Sequence, residues 1–254
     1  METVLINYAG DNFRRRQRIN AYTAIANGRL DRCIIYPADD LDRDFAHRNR
    51  YLLSMSRGVG LWLWKPYIIL DALQRAEEGD AIIYCVSGSE ILQDLAPLVE
   101  VCSGLKHGVL GFELGTGFSE RCWTKRDTFV VMDCDRPRFH DTPQMKGGNL
   151  VFVKCALSID FVRQWLSLVC QVRLVSDLPS VCDEPEFSDF RAHRHDQSIF
   201  SLLYKKHGYR SCSDMTGIHV DAFIRDHVSL EPSLTTLWPT FVDPSMYFKV
   251  GRPG

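Results

Sequence analysis

The chain has 254 residues, 45% hydrophobic and 24% charged, enough apolar material for one large core or one core with a smaller lobe docked on it. A formal net charge of -2 gives no global field for nucleic acid or an anionic membrane, so an anionic ligand must be met by local cations. No run of 18 apolar residues is present and METVLINYAGDN lacks the order of a signal peptide, so a cytoplasmic location is expected, with no spanning helix.

In chain order, TVLINYAG reads as a strand ending in small residues. Residues 12–26 suit a helix on which Phe13, Ile19, Tyr22 and Ile25 share a face, stopped at Asn27-Gly28. RCIIYP is a second strand, and residues 61–73 a helix with Pro66 in its first turn. AIIYCV follows as a third strand. This β-α-β-α-β order predicts a parallel sheet with helices on its faces and a ligand crevice beyond the strands' carboxyl ends. It places Asn7, Tyr8 and the residues to Asp11, Pro37–Asp40, and Val86 to Glu90 (with Ser87 and Gly88) around that crevice.

The second half predicts a helix over 94–103, the strand GVLGF, one helix over SERCWTKRDTFVVM and the strand MKGGNLVFVK. A long amphipathic helix over 159–172 follows, then an acidic loop and a helix over DQSIFSLLYKKHG, capped by Asp196 and ended by Gly208. The tail beyond Tyr209 reads as surface loop. With no repeat or linker, residues 1–254 read as one α/β domain, 1–92 its nucleotide-binding half and 93–254 a more irregular acceptor-binding half. Nine cysteines stand singly with no C-x-x-C pair, as buried thiols rather than disulfides or a zinc site.

Five stretches can carry chemistry, and each has a plain structural alternative. In G-V-G-L-W-L-W-K-P-Y (58–67), two tryptophans two apart cannot both face one core from a helix, so one can wall a pocket. Lys65 sits where a helix N-terminus attracts anions, or is a solvated cation. Trp123 with Lys125 and Arg126 offers an apolar face beside cations, or a buried indole at a helix start. Gly147 and Gly148, after Gln144, allow backbone to approach a ligand, or make a turn. In H-R-H-D-Q-S, Asp196 caps a helix, or His195, Asp196 and Gln197 face a pyrophosphate or a reacting sugar. RRRQR (14–18) is a solvated face or a phosphate-binding one.

Taken in order, G-x-G-x-W-x-W-K-P-Y, G-D-x-x-x-Y-C-x-S-G, W-T-K-R-D, Q-x-x-G-G and R-H-D-Q-S-I-F-S-L-L resemble a group of GT-A-fold glycosyltransferases of bacterial surface-polysaccharide clusters and some large algal viruses, over roughly residues 45–210. The resemblance implies a GT-A-like sheet and transfer of a hexose or deoxyhexose from a nucleotide sugar, such as a UDP-sugar. The acceptor it implies is a saccharide or lipid-linked saccharide in polysaccharide or lipopolysaccharide synthesis. A peripheral contact with the inner face of the membrane goes with such an acceptor; nucleic acid is not an expected partner. In the group, the strand after G-D ends in an Asp that helps hold a divalent metal; here that position is Val86, which cannot ligate Mg²⁺ or Mn²⁺. Three accounts follow: Lys65, Lys125 or Arg126 replaces the metal, Glu90 or Asp196 holds it alone, or the chain is inactive.

The expected roles are then donor binding by Asn7, Tyr8, Lys65, Ser87, Gly88, Trp123, Lys125 and Arg126, acceptor binding by Gln144, Gly147 and Gly148, and catalysis by Asp196 with His195 and Gln197. Glu113 is a second candidate base for an inverting path. A non-catalytic nucleotide-sugar or glycan-binding protein is the alternative from another class. A nucleotidyltransferase is a third, weakened by the single glycine after the first strand.

Overall fold

The computed structural model describes residues 1–37 and 40–225, and the backbone of 248–250. Its main sheet runs β5-β6-β3-β1-β2-β8. The strands are β1 (Thr3–Ala9), β2 (Arg32–Pro37), β3 (Ala81–Cys85), β5 (Val109–Leu110), β6 (Asn149–Val153) and β8 (Phe248–Val250). The β1–β2, β1–β3 and β2–β8 pairs are parallel, whereas β6 runs antiparallel to β3 and β5. A small second sheet pairs β4 (Glu90–Ile91) with β7 (Ile224–Arg225).

Alternation along the strands sends side chains to two cores. Val4, Ile6, Tyr8, Ile82 and Tyr84 face one layer, built from helices α2 (Trp64–Arg75), α5 (Ala156–Val169) and α6 (Asp196–Lys206). Leu5, Cys33, Ile83 and Cys85 face the other, closed by α1 (Arg14–Ala26) and α3 (Ala96–Ser103). A short helix, α4 (Arg126–Val131), carries Arg126 and Asp127. The two sequence halves share one sheet, because β6 of the second half lies directly against β3 of the first. All nine cysteines are free thiols.

Four local expectations change. Phe13 and Tyr22 are exposed, and the inward face of α1 carries Gln17, Asn20, Ala21, Thr23 and Ala24. The polar side chains on that face meet groups left over at the ends of the strands: Gln17 Nε2 donates to Tyr36 O (3.1 Å), Asn20 Nδ2 to Ser89 O (3.0 Å), and Ile91 N to Thr23 Oγ1 (3.0 Å). The stretch read as one helix over SERCWTKRDTFVVM is two, Glu120–Trp123 and α4, separated by extended Thr124 and Lys125. The helix expected from residue 61 begins at Trp64, though Pro66 does lie in its first turn. Beyond Tyr209, the expected surface loop instead carries a helix, Cys212–Thr216, and strands β7 and β8, with Cys212, Val220 and Ile224 buried; residues 226–247 and 251–254 lie outside the described residues.

Candidate functional site

At the carboxyl end of β1, Asn7 and Tyr8 point to opposite faces. Asn7 is fully buried and donates to Asn20 Oδ1 (2.7 Å); among the described residues its own Oδ1 has no partner. Tyr8 stacks on Trp64 with ring centroids 3.9 Å apart, so its ring is part of the core.

The segment before α2 is a left-handed turn. Gly58, Val59, Gly60, Leu61 and Trp62 all have positive φ, between 52° and 93°. Left-handed backbone costs an L-residue about 1–2 kcal/mol, and three of these five are not glycine. The two glycines permit it: a Cβ on Gly58 would lie 2.4 Å from the Trp62 ring, and one on Gly60 2.9 Å from Leu53 Cα. Trp64 Nε1 pins the turn by donating to Gly58 O at 2.9 Å. The tryptophans part as a consequence. Trp64 is buried, while half-buried Trp62 stacks on His195 at 5.6 Å.

Lys65 and Asp196, 131 residues apart, form an ion pair of 2.6 Å at 4% and 2% exposure. Asp196 is the first residue of α6 rather than its cap; His195 holds the cap position with φ 53° and ψ −119°. Burial pushes the Asp196 carboxyl above its ordinary value, and the Lys65 charge and hydrogen bond oppose that rise. Trp165 Nε1 donates to the Asp196 carbonyl at 3.1 Å, fixing the start of the helix.

The two histidines have assigned tautomers. His193 Nδ1 accepts from Lys125 N (3.3 Å), so Nε2 carries the hydrogen toward Leu174 O (2.8 Å). Burial holds its pKa well below the usual histidine value. His195 Nδ1 donates to Val175 O at 2.8 Å, which leaves a lone pair on Nε2. That atom is buried without a hydrogen-bond partner among the described residues, 3.7 Å from Asp177 Oδ2. Burial lowers the His195 pKa as well.

Val86 joins this group from β3. Its N–H donates to Gly148 O (2.8 Å), Gly147 N donates to Gln197 Oε1 (3.0 Å), and Gln197 Nε2 donates to Gln144 Oε1 (2.8 Å). Ser87 and Gly88 form the turn closed by Ser89 N to Val86 O (2.9 Å). The space left by the two glycines is taken by protein: a Cβ on Gly147 would lie 2.9 Å from Gln197 Cβ, and one on Gly148 3.4 Å from Val86. Gln144 is fully buried, its amide engaged by Trp123 O, Thr124, Ser198 and Gln197. It is a latch between segments and presents no free group to an acceptor.

The residues here do not fit a divalent metal. Val86 offers no oxygen ligand. Asp196 is paired to Lys65, and Glu90 lies 3.6 Å from Arg225. No cluster of three or more His, Cys, Asp or Glu that could hold an ion occurs among the described residues. Glu113 is exposed and joined to Met145 through a backbone bridge.

Lys125 and Arg126 turn toward the acidic loop. Lys125 Nζ donates to Leu178 O (3.1 Å), and Arg126 pairs with Asp135 (3.0 Å) and lies over Phe187 (4.3 Å). Asp127 anchors that loop through Arg173, Val181 N and Cys182 N. Burial raises its pKa, but these three contacts outweigh that and hold it below the ordinary value. Arg194, the first residue of R-H-D-Q-S but assigned no role by the motifs, has its guanidinium 4.0 Å from the Trp123 ring centroid and 4.8 Å from that of Phe118. Its sequence signals are its place between two histidines and at the head of R-H-D-Q-S.

No protein-family model matches the chain, and no curated protein matches it. Among solved structures, mouse xyloside xylosyltransferase 1 is similar at 11% identity and TM-score 0.48, over 83% of this chain and 85% of that one. The bifunctional glycosyltransferase WbbM gives 12% and 0.44 over 80% of this chain, and the glycosyltransferase GlyE of Streptococcus pneumoniae TIGR4 gives 15% and 0.42 over 90%. This chain spans 37% of WbbM and 55% of GlyE. At these identities the likeness concerns overall architecture, and no residue's role is taken from it.

Proposed function

We propose that this chain transfers a sugar from a nucleotide-sugar donor to a hydroxyl of a saccharide or lipid-linked saccharide. The observation that carries the reading is convergence. Lys65 of W-x-W-K-P, Val86 of the β3 turn, Gly147-Gly148 and the His195–Gln197 run meet through direct bonds beyond the carboxyl end of β3. That is where an α/β sheet takes its ligand.

In the transfer, the anomeric carbon–oxygen bond to the diphosphate breaks with its electron pair leaving on the diphosphate. The acceptor oxygen bonds to that carbon and gives up its proton. Neutral His195, with its lone pair on Nε2, is the base that receives the proton; Asp196, paired with Lys65, orients sugar hydroxyls with Gln197. Asn7 and the Ser87-Gly88 turn border the donor's nucleoside. Lys65, Lys125 and Arg126 are engaged by protein groups, so charge on the departing diphosphate falls to Arg194 beside Trp123.

Val86 in place of a carboxylate favours one second reading, a non-catalytic nucleotide-sugar binder. A thermal-shift screen of nucleotide sugars, followed by Asp196→Asn in a transfer assay, separates the two. Transfer requires stabilisation by one donor and loss of turnover in the variant. Stabilisation without diphosphate release on any acceptor supports the binder, and an unchanged rate removes Asp196 from the chemistry.

A further inference from the structure

Three stretches of the sequence, W-T-K-R-D, Q-x-x-G-G and R-H-D-Q-S, are joined by one line of hydrogen bonds that begins outside the site. It begins at Glu120, whose carboxylate is fully buried and paired with Lys205 at 2.8 Å. Lys205 is itself held by Thr142 Oγ1 (2.8 Å) and Pro143 O (2.6 Å). Glu120 Oε1 also accepts from Ser201, whose Oγ accepts from Met145 N at 2.7 Å.

A carboxylate paired with an ammonium only accepts, and that fixes the sense of the bonds that follow. Thr124 Oγ1 donates to Glu120 Oε2 (2.9 Å), so it offers Gln144 lone pairs alone. Ser198 Oγ is committed in the same way, donating to Trp123 O at 2.9 Å. Both hydroxyls therefore accept from Gln144 Nε2, at 3.0 and 3.1 Å, which uses the two hydrogens of that amide. Gln144 Oε1 is thereby turned to Gln197. It accepts from Gln197 Nε2 at 2.8 Å, which leaves Gln197 Oε1 for Gly147 N at 3.0 Å. Reversing one amide would set two donors or two acceptors face to face. Glu120, Thr124 and Gln144 are fully buried, so no solvent would relieve the mismatch.

We propose that Glu120 is a positioning residue for sugar transfer. Acting through Thr124 and Gln144, it sets which way round the Gln197 amide meets the reacting sugar. The proposal rests on the transfer reading above, in which Gln197 orients sugar hydroxyls. Gln197 is half-buried, and its two relay bonds leave it one Nε2 hydrogen and one Oε1 lone pair. The relay thus presents the sugar with a donor on the Gln144 side and an acceptor on the Gly147 side.

Glu120→Gln and Thr124→Val test the relay at two points. In Glu120→Gln the amide oxygen stays with Lys205 and the NH2 meets Thr124, whose hydrogen is driven toward the Gln144 NH2. Thr124→Val keeps the shape and removes the hydroxyl, and Thr124→Ser keeps the hydroxyl. Turnover is expected to fall about tenfold in Glu120→Gln and in Thr124→Val, the scale of one hydrogen bond, and to persist in Thr124→Ser. Glu120→Gln/Gln197→Ala is expected to turn over no more slowly than Gln197→Ala alone, because Glu120 acts through Gln197. A merely structural Glu120 would multiply the two losses. NMR of the side-chain amides reads the relay with no substrate present. The Gln197 NH2 signals are expected to shift, and the hydrogen facing Gln144 to exchange faster, in Thr124→Val but not in Thr124→Ser. Absence of turnover in the wild type would remove the transfer reading, and with it Glu120's role in transfer, while the NMR would still decide the relay. Multiplied losses in the double variant, full turnover in Thr124→Val, or an unmoved Gln197 amide would each overturn the proposal.

Discussion

Lys65→Met gives the sharpest test of the buried ion pair. The substitution keeps the aliphatic length but leaves the Asp196 carboxylate at 2% exposure with its 2.6 Å partner gone. Removing one member of a buried pair costs about 3–5 kcal/mol. In a chain of this size each kcal/mol moves the melting temperature by about 2–4 °C, so a drop of roughly 6–20 °C at neutral pH follows. The pH dependence carries the sign. Lys65 is the principal influence holding the Asp196 pKa down against burial, so the variant's carboxyl rises further above its ordinary 3.8. A raised carboxyl favours the folded state when protonated, and that contribution is lost as pH rises through the folded pKa. The gap between wild type and variant therefore narrows on acidification. Lys65→Met/Asp196→Leu recovers stability relative to the sum of the single changes. Calorimetry across pH measures all three. A melting temperature within 2 °C of wild type at neutral pH, or a gap that widens in acid, would refute the reasoning.

Other outcomes follow from the same geometry. Gly60→Ala loses about 1–3 kcal/mol by denaturant melts, because φ is 93° and Leu53 blocks the new Cβ, whereas Val59→Gly costs nothing. His193 has a depressed pKa, so its stabilising contribution is present above its ordinary 6.5 and is lost as pH falls through the folded value. His193→Gln flattens that acid limb in a pH series of melting curves. Val86→Asp restores a carboxylate at the end of β3 and introduces Mn²⁺-dependent stabilisation of a donor complex, read by thermal shift with and without the ion. The same response to Mn²⁺ in wild type and variant would show that Val86 is not what departs from a metal site.

The strands were legible because their apolar runs are unbroken. AIIYC and NLVF are buried on both faces and can be read without partners. Hydrophobicity is a poor guide to the inward face of α1, where the helix crosses strand ends: Gln17, Asn20 and Thr23 point inward to meet buried backbone groups there. SERCWTKRDTFVVM has helical composition throughout, but Lys125 N–H turns out to bond His193, 68 residues away, and the helix opens to allow it. The motif residues were found one by one, while their pairing was not. The motifs put Lys65 with the donor and Asp196 in catalysis, because neither carries a sign of the other in its own neighbourhood. Gly147 and Gly148 showed that small residues were required without showing that Gln197 and Val86 take the space.

Sugar transfer is tested most directly by diphosphate release from a panel of nucleotide sugars, measured with and without soluble saccharide acceptors for the wild type and for Asp196→Asn. Release is expected from one donor, accelerated by an acceptor and lost in the variant while its fold persists. Stabilisation by no nucleotide sugar, together with no release from any of them, would contradict it.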